Sequence, residues 1–343
     1  MEKMFSSCYK LESIDLSGFD TSNVTNMEGM FSECYILSSI KIPCNVQSKV
    51  LLPTGTWKDI EGNQYTELPQ SKATSFEITK AVDENLEIPE DAVYFGSWNG
   101  MTWSIDADGE LLITGVDTRT TADYEYATWR SYEEYIKTAV VKAESVKSTY
   151  FWFNGCSSLE SVDVSAFDTS MVSDMSGMFR NCSSLASVNL NIFNTNNVTN
   201  MSSMFSGCSQ LENIDVSNFE TSSVTNMGWM FADCSKLKEL VVNFDTSNVT
   251  NMGGMFSGCK SLESIDVSNF DAGKVTYIQS MFSNCDSLTS INVPVNVSVE
   301  TLLPSGTWKD VDGNTYTVLP LNVAISFEII KMVEKSDEGA NSN

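Results

Sequence analysis

Apolar residues recur along this chain with a fixed period. Met-Phe pairs stand at Met4-Phe5, Met30-Phe31, Met178-Phe179, Met204-Phe205, Met230-Phe231, Met255-Phe256 and Met281-Phe282, and Trp152-Phe153 fills the same slot. Within each run the spacing is 26 residues, apart from one interval of 25 after Met230. One unit reads MFSGCSQLENIDVSNFETSSVTNMGW, from Met204 to Trp229. Inside it, Ile214 and Val216 alternate with polar neighbours, the signature of a short strand with one buried face. A single coil of this kind cannot bury its apolar side, so successive coils must stack and align their strands in parallel. The stacking predicts inward columns: Leu159, Leu185, Leu211, Leu237, Leu262, Leu288; Phe167, Phe193, Phe219, Phe244, Phe270; and Met175, Met201, Met227, Met252.

A longer repetition sets the expected domains. Residues 30–80 and 281–331 align without a gap, more than half of the positions being identical. Each copy ends in a tail with Gly-Asn between β-rich flanks, which predicts a hairpin capping an otherwise open sheet edge. Residues 1–80 are therefore expected to be the end of a first solenoid with its β cap, and residues 81–92, with five acids and no base, a linker. A second solenoid follows: an N-terminal cap at 93–151, six coils at 152–293, a C-terminal β cap at 294–331 and a polar tail at 332–343. In the N-terminal cap, residues 102–114 predict a hairpin turning at Asp108-Gly109, and the aromatic-rich stretch 123–137 predicts a helix. Because Met1 aligns with Met27, an internal column position, the first solenoid reads as truncated.

The frame Leu211-x-x-Ile214-x-Val216-x-x-Phe219 matches the L-x-x-L-x-L-x-x-N/C pattern of leucine-rich repeats, and the period lies within the 20–29 residues of that class. With its recurrent F-D-T-S-x-V-T-x-M segment the chain resembles the BspA-like, DUF285-type leucine-rich repeat proteins of bacterial surfaces. Trp103 to Gly115, followed by Trp129 and Tyr132, resembles the N-terminal flank of that group. The resemblance implies an α/β leucine-rich-repeat solenoid, one parallel strand per coil and a short helical or irregular convex side. It also implies a secreted or cell-surface bacterial protein that binds host or bacterial surface proteins or glycans.

Composition narrows the chemistry. Histidine is absent, which removes Ser-His-Asp triads, Cys-His dyads and His-ligated zinc. The net charge of −25 argues against nucleic acid and anionic membranes, and no apolar run approaches the ~20 residues of a membrane span. Eight of the nine cysteines, Cys8, Cys34, Cys156, Cys182, Cys208, Cys234, Cys259 and Cys285, follow their Phe by three residues, and Cys44 stands apart. Side chains of one column point the same way, so reduced, packed thiols are expected, although the coil spacing alone leaves ladder disulfides open. A nucleophilic thiolate would need a cation or His beside it, which the repeat does not supply.

The outward column of the strands, Asp163, Asn189, Asp215, Val241, Asp266 and Asn292, never sets acids on adjacent coils. That alternation fits a solvated face better than calcium, which clusters its oxygens, and leaves ligand contact open. Departures from the repeat are the other candidates, since stacking does not demand them: Trp229 where other units carry Gly or Ser, Arg180 for Ser or Ala, and Tyr277 for Asn or Asp. No catalytic residue, cofactor or metal is expected. The leading expectation is non-enzymatic binding at a bacterial surface. The alternative is a stiff spacer that presents another domain.

Overall fold

The computed structural model describes residues 1–332 apart from 7, 9–10, 33, 35–36, 54–56, 71–75, 81–90 and 123–124. The chain forms two compact units, Met1–Ile88 and Pro89–Asn343. The expected linker, except for its last two residues, and the tail after Met332 lie outside the described residues.

The coils are held together by three kinds of rung, each traceable to the repeat. The first is apolar. The Phe rings after each Met stack nearly parallel, Phe153 on Phe179 at 5.5 Å and onward through Phe205, Phe231, Phe256 and Phe282 at 5.7–6.0 Å. All are buried beside the Leu and Met columns, and each such side chain contributes roughly 1.5–3 kcal/mol by burial. The second rung is backbone. In the Met-x-x-Met-Phe turn, Met175, Gly177, Phe179 and Asn181 donate to Asn200, Ser202, Met204 and Ser206 of the next coil at 2.7–2.9 Å. The same four bonds recur in each later interval between coils.

The third rung is made by side chains. The Thr of the F-D-T-S segment is buried, and its hydroxyl donates to the next coil: Thr169 to the Asn194 carbonyl, Thr195 to Glu220, Thr221 to Asp245 and Thr246 to Asp271. From the second coil of each unit onward, the cysteine thiol of the inner column donates to the carbonyl of the Phe one coil earlier. Cys182 reaches Phe153 at 3.1 Å, Cys208 reaches Phe179 at 3.1 Å and Cys234 reaches Phe205 at 3.2 Å. No disulfide joins the nine cysteines. The thiols are therefore hydrogen-bonding members of the core, more than small apolar fillers.

The regular parallel ladder on the strand side forms only at the ends of the coil stack. Ser161–Asp163 pairs with Thr138–Glu144, and Ser264–Asp266 pairs with Ser290–Asn292. Between them, at 187–189, 213–215 and 239–241, the chain forms no regular strand, and the coils are joined by the turn-side bonds and bridges from Asp174 through Asn200, Asn226 and Asn251 to Tyr277. The expected helical component is almost absent. Among the described residues the only helix is a 3-10 turn, Thr128–Tyr132, so the architecture is a β-solenoid. That turn lies where a longer helix was expected, and it has no side-chain cap at Ala127. Trp129 is buried within it and donates from Nε1 to the Trp152 carbonyl at 3.0 Å.

The caps close the sheets. In the second unit Ala92–Trp98, Met101–Asp106 and Glu110–Val116 form an antiparallel meander, whose last strand pairs in parallel with Thr138–Glu144. Asp117 and Arg119 form a buried ion pair at 2.7 Å behind it, with the guanidinium over the Trp98 ring. At the other end Glu328–Met332 runs antiparallel to Ser290–Asn292, and the hairpin of Thr307–Lys309 and Thr315–Tyr316 pairs beyond it. The first unit ends in the same way, Glu77–Lys80 lying between Ser39–Lys41 and the hairpin Trp57–Asp59/Gln64–Tyr65. The hairpin foreseen from the sequence thus covers the edge through one intervening strand.

A second feature of the turns is a row of left-handed residues. Gly155, Asn181, Gly207, Asp233, Gly258 and Asn284 all have φ between 59° and 86°. Glycine alternates with Asn or Asp for a steric reason. A Cβ on Gly207 or Gly258 would run into the Asn181 or Asp233 carboxamide or carboxylate oxygen of the coil before.

Candidate functional site

The carboxylates of the outward column are engaged in shaping the chain. Asp163, Asn189, Asp215 and Asp266 each accept a hydrogen bond from the backbone N–H two residues on, at 2.9–3.1 Å, and so turn the chain away after the strand position. The Ser165, Ser217 and Ser268 donors hold Asp163, Asp215 and Asp266 below the ordinary carboxylate range. Asn292 is half-buried in the terminal ladder, and its side chain bonds to Asp266. With at most one such group per coil, and none at Val241, the row is solvated and does not converge. Among the described residues no cluster of three or more Asp, Glu, Cys or His could hold a metal.

A cavity of about 670 Å³ lies in the cap of the first unit, lined by residues including Asp59, Glu61, Tyr65, Phe76 and Glu77. Its central carboxylate, Asp59, accepts from Asn63 Nδ2 at 2.8 Å, from the Tyr65 hydroxyl at 2.7 Å and from two backbone amides. The Asn63 bond, followed by that of Tyr65, lowers Asp59 to about 2, and the carboxylate in turn raises Tyr65 to about 12. Asp310, Asn314 and Tyr316 repeat this corner in the second unit. A carboxylate so fully occupied is a structural corner, and its depressed pKa makes it a poor general acid or base.

The departures from the repeat behave differently. Trp229 belongs to the turn Met227-Gly228-Trp229-Met230-Phe231, in a second left-handed row: Phe151, Gly177, Ser203, Trp229, Gly254 and Ser280 all have φ between 55° and 61°. A bulky residue in this region is an outlier, costing roughly 1–2 kcal/mol through the clash of Cβ with the backbone. Trp229 lies over Gly254 of the next coil, where a Cβ would come within 2.5 Å of its Cδ1 and Nε1. Tyr277 leans back from the coil beyond and covers Gly253, where a Cβ would overlap its ring. The two rings meet above the Gly253-Gly254 backbone with centroids 5.8 Å apart and an interplanar angle of 40°. Each residue remains 42% exposed, so aromatic surface faces outward. Asn226 and Asn251, both half-buried, stand in the same turns.

Arg180, two coils before Trp229, is exposed, with its guanidinium 5.7 Å from the ring of Phe151 in the coil before its own. Phe151 covers Gly177 as Trp229 covers Gly254. It also packs against Tyr150 at 4.6 Å and Tyr126 at 6.0 Å, the latter lying beneath the Arg130 guanidinium at 4.3 Å. The structure thus pairs Trp229 with Tyr277 and places Arg180 at a separate aromatic cluster, while the outward Asp and Asn column belongs to the strand segment of the coils. Sequence reasoning missed Phe151, Tyr150 and Tyr126, because Trp152-Phe153 took the alignment slot beside them. The available signal was that the positions of Phe151 and Trp229 are each followed, one coil on, by glycine.

The cysteines offer no chemistry of their own. Burial raises the thiols of Cys208 and Cys285 to about 12 and those of Cys182, Cys234 and Cys259 well above the usual range. Such thiols stay protonated and inert.

Among solved structures the chain is similar to a leucine-rich repeat protein from Eubacterium ventriosum, 15% identical over 60% of this chain and 86% of that one, with a TM-score of 0.22. It is also similar to a leucine rich cell surface protein from Faecalibacterium prausnitzii, 14% identical over 64% of this chain and 96% of that one, with a TM-score of 0.17. No curated protein matches it. A family described as "Mycoplasma protein of unknown function, DUF285" matches residues 1–48, 130–216 and 209–301. These matches cover more than half of the sequence, and the chain belongs to this DUF285 family, the BspA-like leucine-rich-repeat group that its motifs resemble.

Proposed function

We propose that the chain is a non-enzymatic binding module of a bacterial cell surface, in which the coils are a rigid scaffold and the aromatic departures make the contact. The observation that carries this reading is Trp229, a bulky side chain kept in a left-handed position that its neighbours fill with Gly or Ser. Backbone strain of this kind concentrates at functional sites, and an exposed Trp is a typical contact residue. The non-enzymatic part is supported by the absence of histidine, the alternate-coil spacing of the outward carboxylates and the protonated state of the buried thiols. Surface placement rests on the resemblance to BspA-like proteins. No helix among the described residues is long and apolar enough to cross a membrane.

Binding of the fluorescently labelled full chain to bacterial and host cells tests this. Retention that falls at least tenfold in Trp229→Gly, a variant carrying the residue found at positions 177 and 254, supports the proposal. Equal retention of both proteins would remove Trp229 from the contact. No retention of either would favour the spacer reading, for which the unbroken Phe stack and backbone ladder provide the stiffness.

A further inference from the structure

The turn-side row has a spacing as well as a composition. Its two aromatic sites, Trp229 with Tyr277 and Phe151 with Tyr150, are three coils apart, about 14 Å at the ~4.8 Å separation of stacked strands. The positions between them are Gly177 and Ser203, too small to rise between the sites. The row therefore runs from coil to coil with an aromatic surface at each end and amide and hydroxyl groups beside it.

We infer that this row binds a linear, uncharged glycan lying parallel to the solenoid axis, with one sugar ring stacked on the Trp229–Tyr277 surface and another reaching the Phe151 cluster. The inference rests on the binding reading above and gives that reading its ligand class. Three observations favour a sugar. The Trp229–Tyr277 surface is isolated in polar surroundings, Gln279 and Ser280 being exposed and Asn226 and Asn251 half-exposed, whereas a protein partner needs a continuous apolar patch with a polar rim. A pyranose presents C–H groups to an aromatic face and hydroxyls to flanking amides, the combination of apolar surface and few polar groups that defines small-ligand sites. The net charge of −25 disfavours an acidic polysaccharide and leaves a neutral one.

The chain carries its own reporter. Of its seven tryptophans, Trp57, Trp98, Trp103, Trp129, Trp152 and Trp308 are buried, and Trp229 alone is exposed. Collisional quenching of fluorescence by acrylamide therefore reads Trp229. The experiment titrates the full chain with neutral β-linked glucose and N-acetylglucosamine oligomers of two to six units. The expected result is protection of Trp229 from quenching, with affinity rising at least tenfold as the oligomer grows long enough to span three coils. Tyr277→Asn, the residue of the preceding coils, should weaken all lengths by tenfold or more. Phe151→Gly should weaken only the long oligomers, which separates the second contact from the first. Far-ultraviolet circular dichroism and thermal melting of each variant establish that it is folded.

Absence of protection by any oligomer overturns the inference. So does protection by peptides or proteins in place of sugars. If cell binding survives periodate treatment of the cells yet still falls in Trp229→Gly, the binding reading stands and the glycan is wrong. If neither cells nor oligomers respond to Trp229→Gly, both fail together.

Discussion

Raising the pH beyond 9 should unfold the second unit cooperatively, because its core holds a column of thiols that ionise only in the unfolded chain. Burial raises Cys156, Cys182, Cys208, Cys234, Cys259 and Cys285 above the ordinary thiol value of 9.0, Cys208 and Cys285 to about 12. A group whose folded pKa is raised adds stability that is fully present below its unfolded pKa and is lost as the pH climbs toward the folded value. At pH 9 each unfolded thiol gains about 0.4 kcal/mol by ionising, and at pH 10 about 1.4 kcal/mol. Six thiols together then favour the unfolded chain by about 8 kcal/mol at pH 10, comparable with the 5–15 kcal/mol that stabilises a typical domain. Lysine deprotonation near pH 10.4 adds to self-repulsion in the same range, so the decisive quantity is the slope of stability against pH. In reducing buffer, urea unfolding at pH 8.5, 9.5 and 10 should give a slope that is shallower by about 0.8 kcal/mol per pH unit, averaged over that range, in Cys208→Ala. That variant also loses about 1–2 kcal/mol at neutral pH, from the thiol bond to Phe179 and the small void. A thiolate absorbance that rises smoothly while the far-ultraviolet spectrum stays native would refute the account, as would an unchanged slope in Cys208→Ala.

Other expectations follow from single contacts. At neutral pH a thiol alkylating reagent should modify the half-buried Cys8 and Cys44 in the native protein, and the other seven cysteines only in denaturant, as mass spectrometry of peptides would show. Gly254→Ala should cost about 1–2 kcal/mol for its left-handed backbone and should displace Trp229. The double variant Trp229→Gly/Gly254→Ala should lose the second penalty only, whereas Gly18→Ala, with open space around it, should be neutral in thermal melts. Asp117→Ala leaves the Arg119 guanidinium buried and should cost roughly 3–5 kcal/mol, enough to lower the melting temperature markedly. The contribution of Asp59, whose folded pKa is lowered to about 2, is present above pH 4 and should fade as the pH falls toward 2. Hydrogen exchange at the Asn63 amide would report it.

The inner columns were legible because burial imposes a period, and Leu211, Phe219 and Met227 lie where the 26-residue spacing puts them. The strand side was only partly legible. Ile214 alternates as a strand residue should, yet it is half-exposed, and its coil forms no regular ladder there. The backbone bonds lie instead in the turn, where Met201, Ser203 and Phe205 donate to the next coil. No alternation of apolar and polar residues marks such a turn. Left-handed positions leave a weaker trace: glycine reveals them, whereas Phe151 and Trp229 conceal them behind large side chains. The Asp residues of the strand column were visible as acids, but their hydrogen bonds to Ser165, Ser217 and Ser268 depend on a local turn geometry that residue identity does not state.

The alternation of Gly155, Asn181, Gly207, Asp233, Gly258 and Asn284 has a consequence for how such a gene can change in length. Duplicating or deleting one coil would bring two bulky or two bare coils together. A bulky pair sets one side chain against the Cβ of the next. Gaining or losing two coils restores the parity at every junction. Duplication of an Asn or Asp coil in the second unit should therefore be filtered by sterics before any function is tested, whereas loss of one, which brings two glycines together, should not.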